Sequence, residues 1–205
     1  MGAIVRAAEQ NRALRETTRQ AIEDAAIRVF ARHGFAASSI RHIANEAGLS
    51  VGSIYRHYAG KEALFDKLLQ QAALGLESAS RALSGTGDPL ATVRGFTRDF
   101  LTDLATDHGA AEFYLVINHG FLSDTPAGTA ARLAADQRSL WDTFAGLIRR
   151  GQAAGQFAPG DPEQLTAFYF AMLSGMATMR PVIRDALTDP GVDVVLRLLT
   201  GKGQP

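Results

Sequence analysis

Apolar residues recur three and four positions apart along almost the whole chain, and no segment alternates them one by one. Ile22, Ala26, Val29 and Phe30 fall at i, i+4, i+7 and i+8, and Leu64, Phe65, Leu68, Leu69, Ala72 and Leu76 repeat the pattern. On a helix this spacing gathers the apolar groups into one stripe, whereas on a strand it would scatter them over both faces. The same rhythm runs through Val93, Phe96, Phe100 and Leu104, then Phe113, Tyr114, Ile117 and Phe121, then Leu133, Leu140, Trp141, Phe144, Leu147 and Ile148. It returns in Leu165, Phe168, Tyr169, Met172, Leu173, Met176 and Met179 and ends with Val192, Val195, Leu196 and Leu199. The pattern predicts an all-α protein of about nine helices. Its clearest interruptions are Ser84-Gly85-Thr86-Gly87-Asp88-Pro89 and Gly155-Gln156-Phe157-Ala158-Pro159-Gly160-Asp161-Pro162, where breakers cluster.

A chain of 205 residues can bury a substantial core. Its 21 basic and 21 acidic side chains cancel, yet through Glu62 there are nine Lys and Arg against six acids. A mildly basic amino-terminal region on an acidic remainder suits a nucleic-acid reader with a separate body. The sequence contains no cysteine, which excludes disulfides and thiolate metal sites. No run of about 18 apolar residues is present and the first twenty residues lack a signal-peptide core, so a cytoplasmic location, with no membrane span, is expected. No cofactor and no metal is expected either. Three parts are predicted: a flexible basic arm over residues 1–16, a helix-turn-helix domain over 17–62, and a helical body over 63–205.

Gly48-Leu49-Ser50-Val51-Gly52 spells G-x-S-x-G, the nucleophile elbow of serine hydrolases. An elbow needs a strand before its serine, but Ile40, Ile43, Ala44 and Ala47 have the spacing of a helix face. Ser50 therefore reads as the cap of the next helix rather than as a nucleophile. The connection Ala47-Gly48-Leu49-Ser50 is about as short as two steeply crossing helices allow, with Ile40, Ile43 and Ile54 buried between them. Left outside on the second helix are Val51, Gly52, Ser53, Tyr55, Arg56 and His57, polar or small groups suited to a major groove. Any helical hairpin with a solvated face also fits this pattern.

The stretch from Gly34-Phe35 through Ile43-Ala44, Ala47-Gly48-Leu49-Ser50, Gly52-Ser53-Ile54-Tyr55 and His57-Tyr58 to Lys61-Glu62-Ala63-Leu64 closely resembles the DNA-binding domain of TetR-family transcriptional regulators. The resemblance covers about 45 residues from Thr17. Arg150-Gly151-Gln152-Ala153-Ala154-Gly155-Gln156-Phe157 and Ser174-Gly175 look like that family's carboxy-terminal half. The resemblance implies a homodimer on a palindromic operator of double-stranded DNA, with a small-molecule effector bound in the body. Tyr55 and Lys61 match positions that touch phosphate, and Thr18 and Ser39 can donate hydroxyls to phosphate on the flanks. Gly52 matches a close backbone approach to a base, while Ser53, Arg56 and Val51 are candidates for base edges or a thymine methyl. Arg41, Ser50 and His57 complete the expected DNA face, and Tyr58 is expected to pack beneath the hairpin.

In the body, an aromatic stripe at helical spacing is usually core, and polar company tilts a subset toward a ligand. By analogy with the family, a pocket for an apolar or aromatic molecule is expected among Phe96, Phe100, Phe113, Tyr114, Trp141 and Phe144. Met172 and Met176 join it, with Asn118, His119, Tyr169 and Arg180 as polar handles. The last two long helices resemble the family's dimer interface, with Leu165, Phe168, Ala171, Gly175 and Met179 as contacts, although residues 163–184 suit either pocket or interface. Two other readings remain: a DNA-binding helical dimer without an effector, and a hydrolase pairing Ser50 with one of His33, His42, His57, His108 or His119.

Overall fold

The computed structural model describes residues 2–106, 109–124, 126–183, 185, 187 and 189–201. Among them are nine helices and no strand: α1 Gly2–Ala37, α2 Ile40–Ala47, α3 Val51–Tyr55, α4 Lys61–Leu83, α5 Pro89–Thr106, α6 Ala110–Ser123, α7 Thr129–Ala153, α8 Pro162–Ile183 and α9 Asp189–Thr200. They form two compact units, residues 1–70 and 71–205, so the division falls within α4 rather than at the 62/63 step. His108, one of the histidines considered for catalysis, lies outside the described residues.

In the first unit the helical period decides what is buried. Ile22, Ala26, Val29 and Phe30 of α1 close on Ile43 and Ala44 of α2, Ile54 of α3 and Leu64, Phe65 and Leu68 of α4, all nearly inaccessible to solvent. Phe30 and Phe35 meet the Phe65 ring at 5.4 and 4.8 Å between centroids. Each fully buried Ile or Phe contributes about 1.5–3 kcal/mol by leaving water. The arm expected over 1–16 is α1 from Gly2 onward. Its residues 9–16 are good helix formers such as Arg, Gln, Ala and Leu, and their side chains are all exposed, so local propensity rather than packing extends the helix there. At the other end Gly34, with φ 71° and ψ 167°, breaks the helical backbone, a conformation that glycine adopts without strain.

The second unit packs α7 against α8, α5 against α9, and α6 against both α7 and α8. Phe144, Leu147 and Ile148 of α7 and Tyr169 and Leu173 of α8 form its centre with Val93 and Leu104 of α5. Tyr169 is fully buried and stacks on Phe144 at 4.5 Å. No helix among the described residues is long and apolar enough to cross a membrane.

Candidate functional site

Two short helices meet through a turn that the backbone closes on itself. The amide of Gly48 donates to Asn45 O at 3.2 Å, and that of Leu49 donates back to Ala44 O at 2.9 Å. This pair of bonds defines a Schellman stop, which needs a left-handed residue, and Gly48 takes φ 65° and ψ 29°. Extended backbone at Ser50 then starts α3, and the Ser50 hydroxyl accepts the Ser53 amide at 3.1 Å. Ser39 caps α2 in the same way, accepting the His42 amide at 3.2 Å. The segment before Ser50 is thus a helix and a turn, not a strand, and the elbow reading loses its geometry.

α3 is five residues long. Ile54 anchors it with no exposed surface, and Val51, Gly52, Tyr55 and Arg56 are exposed. Ser53 and His57 are half-buried. Arg56 Nη2 donates to Ser53 Oγ at 2.8 Å, and Ser53 Oγ lies 2.9 Å from Ser50 Oγ, so three of the expected DNA-facing side chains form one polar chain along the helix. An open groove of about 900 Å³ beside them is lined by Ser39, Arg41, Val51, Tyr55, Gly60 and Lys61, with Glu62 the one acid. The structure therefore brings Ser39, Arg41, Tyr55 and Lys61 onto the flank of α3.

Two residues have other partners than the resemblance implies. Lys61 Nζ donates to carbonyls that end α1 and precede α2: Phe35 O at 3.1 Å, Ala36 O at 3.2 Å and Ser38 O at 3.0 Å. The ammonium also sits 4.6 Å from the Phe35 ring centroid. Lys61 is thus a clamp on the carboxy-terminal end of α1, where helix carbonyls favour a cation. The Thr18 hydroxyl donates to Leu14 O at 2.8 Å within its own helix.

Sequence reading missed the buried charge that supports this unit. Glu23 is completely buried, yet it accepts Arg19 Nη1 at 2.6 Å and the Tyr58 hydroxyl in a short contact. Burial first, and then the Glu23 carboxylate, push the Tyr58 phenol above its ordinary range. Tyr58 packs under the hairpin as expected, and this contact ties the segment after α3 to α1. Glu46 at the end of α2 is similarly held by Arg28 at 2.7 Å and Arg32 at 2.9 Å from α1, and those two guanidiniums keep its carboxyl below the usual range. A lone acid in an apolar stripe, Glu23 beside Ile22, was the signal available.

In the body the structure sorts the ambiguous α8 by face. Tyr169, Leu173 and Ala177 are buried. Leu165, Met172 and Met176 are half-buried against the core. Phe168, Ala171, Gly175 and Met179 are exposed on one stripe that continues to Val182. Of the expected polar handles, Tyr169 is a satisfied core residue, its hydroxyl 2.7 Å from Thr97 Oγ1. Arg180 Nε donates to Leu104 O at 2.6 Å near the end of α5, and Asn118 Oδ1 accepts the Ser174 hydroxyl at 3.0 Å. His119 is half-buried on α6. Phe100, buried, meets Tyr114 edge to face at 5.1 Å, and Phe96 and Phe113 are half-buried. Phe170, which the reading omitted, joins Trp141, Phe144 and Phe96 in one aromatic cluster. Among the described residues no group of three metal-ligating side chains occurs.

A short exposed helix, capped by serine and set by a left-handed glycine turn on a support helix that buries one apolar face, defines a helix-turn-helix. Residues 22–68 match the family model of bacterial regulatory proteins, tetR family. The match covers residues 22–68 of the 205, and over that segment the chain is similar to transcriptional regulators of that family. It is 28% identical over 141 residues to the HTH-type transcriptional repressor KstR2 of Rhodococcus jostii (strain RHA1), a match spanning 65% of each protein, just under two thirds. It is 26% identical over 182 residues to the HTH-type transcriptional regulator RutR of Escherichia coli O157:H7, covering 89% of this chain and 84% of RutR. In fold it resembles AibR, solved in complex with isovaleryl coenzyme A and operator DNA, with a TM-score of 0.70 at 20% identity over 89% of this chain and 98% of AibR.

Proposed function

We propose that this protein is a ligand-responsive repressor that binds a palindromic operator in double-stranded DNA as a homodimer and is released by a small apolar or aromatic effector. The observation that carries the reading is the exposed face of α3, with Val51, Gly52, Tyr55 and Arg56 held outward on a helix whose start is fixed by Ser50. In this reading Arg56 leaves Ser53 to reach a base edge, Val51 meets a thymine methyl, and Gly52 lets the backbone approach. Ser39, Arg41, Tyr55 and His57 contact the flanking phosphates, and the Lys61 clamp adds positive charge beside them.

Support for a homodimer is the apolar stripe Phe168, Ala171, Gly175, Met179 and Val182 on α8, since a two-fold contact buries the same stripe from both copies. Support for an effector is the aromatic interior of the second unit, together with the similarity to AibR, which was solved with a small molecule and operator DNA. Acting on DNA, the protein works in the cytoplasm. The experiment is a titration of the full chain onto duplexes drawn from the DNA flanking its own coding sequence and onto random-sequence duplexes. One flanking duplex should bind tighter than random DNA by about a thousandfold or more at physiological salt. Equal affinity for all duplexes contradicts the reading.

A further inference from the structure

Among the side-chain atoms of the second unit closed off from solvent without a hydrogen-bond partner among the described residues are the carboxylate oxygen Glu112 Oε2 on α6 and the indole nitrogen Trp141 Nε1 on α7. One is an acceptor and the other a donor, and they lie on helices that pack together. Their register follows from Gly120. A Cβ at that glycine would lie 2.7 Å from Leu133 Cδ1 and 3.2 Å from Thr129 Cγ2, so Gly120 faces this part of α7. Glu112, Val116 and Gly120 form one i+4 ridge of α6, and Thr129, Leu133, Gln137 and Trp141 form one of α7. The short connection between the two helices makes them antiparallel. Two turns back from Gly120 is Glu112, and two turns on from Leu133 is Trp141, so both stand at one level of the bundle.

That level is also aromatic. Phe170 of α8 stacks on Trp141 at 5.9 Å and 10°, and Phe96 of α5 meets Phe170 at 6.3 Å. Four helices thus contribute an acid, an indole N–H and two phenyl rings at one level of the second unit. A carboxylate oxygen kept from water and from a partner is costly, and a bound cation relieves that cost most directly. Aromatic faces attract a cation as well, whereas an anionic ligand meets the Glu112 charge.

We propose that the effector site of this body takes a small aromatic cation, with its ammonium against Glu112 and its ring within the Trp141, Phe170 and Phe96 cluster. The proposal rests on the effector reading and adds the charge of the ligand. Its test is a matched series of probes on the full chain: 2-naphthylmethylammonium, 2-naphthylmethanol and 2-naphthylacetate, with affinity measured by calorimetry. Trp141 is the one tryptophan in the sequence, so its single indole N–H resonance reports whether the probe occupies this place.

The ammonium should bind about tenfold or more tightly than the alcohol and the carboxylate and should shift the indole resonance. Glu112→Gln should erase that preference while leaving the alcohol's affinity unchanged. Equal or tighter binding of the alcohol or carboxylate, with the resonance shifted, overturns the cation while leaving a small-molecule site. A cation preference that persists in Glu112→Gln overturns the assignment to Glu112. Binding of none of the three overturns the proposal and removes this site's support for an effector. If Glu112→Gln does not fold, the charge series on the unmodified chain decides alone.

Discussion

Ser50 shows how far a residue's meaning depends on the elements around it. Its five-letter context matches a catalytic elbow, but its oxygen accepts the Ser53 amide and lies 2.9 Å from the Ser53 hydroxyl, which in turn accepts Arg56. Ser50→Ala should therefore lower stability by about 1 kcal/mol in denaturant unfolding, the usual cost of a lost cap, and weaken DNA binding by loosening the start of α3. An esterase activity abolished by the same change would contradict this role. The cap was legible in the sequence because Gly48 and the Ile40, Ile43, Ala44 spacing forced a helix on each side. The Lys61 clamp was not legible. Its carbonyl partners Phe35, Ala36 and Ser38 are brought to it only once α1 and α4 are packed, and one-letter spacing carries no trace of a backbone oxygen's direction.

At the scale of elements, α1 and α2 are joined by charge as well as by their apolar seam. Glu46 lies between Arg28 and Arg32, and its folded pKa is depressed by them. A depressed carboxyl contributes stability that is present above its unfolded pKa, about 4.3, and is lost as pH falls through the lower folded value. Glu46→Gln should accordingly be less stable than the parent chain at neutral pH, with the difference shrinking in acid. Denaturant midpoints at neutral pH and near the acid transition check this, and a gap that is constant with pH would contradict it. α8 teaches a different lesson. Its run Phe168-Tyr169-Phe170 points three ways because successive helical residues turn by about 100°: outward, into the core, and onto Trp141. The sequence marked the helix as apolar nearly all round but could not divide its faces, since that division depends on where α5, α6 and α7 lie. Phe168→Glu and Met179→Glu place charge on the exposed stripe without entering the core, so each should leave the protomer folded. Each should also weaken the proposed dimer at least about tenfold by sedimentation, as a two-fold contact through this stripe would double the charge. An unchanged dimer in both variants would place the interface elsewhere.

For the molecule as a whole, the helical architecture, the position of the hairpin and the exposure of Val51, Gly52, Tyr55 and Arg56 were legible, because period and turn chemistry are local properties. The division within α4 and the buried Glu23, Tyr58 and Arg19 network were not, because they follow from long-range packing. The central claim is that one chain combines a sequence reader on α3 with a two-fold interface on α8. It is tested most directly by selecting binding sites for the full chain from random duplex DNA, in parallel with Arg56→Ala. The parent chain should enrich a single inverted repeat, with half-sites spaced by whole helical turns, and Arg56→Ala should recover the same repeat with relaxed preference at one base step per half-site. Enrichment of no sequence, or of one without two-fold symmetry, would contradict the account.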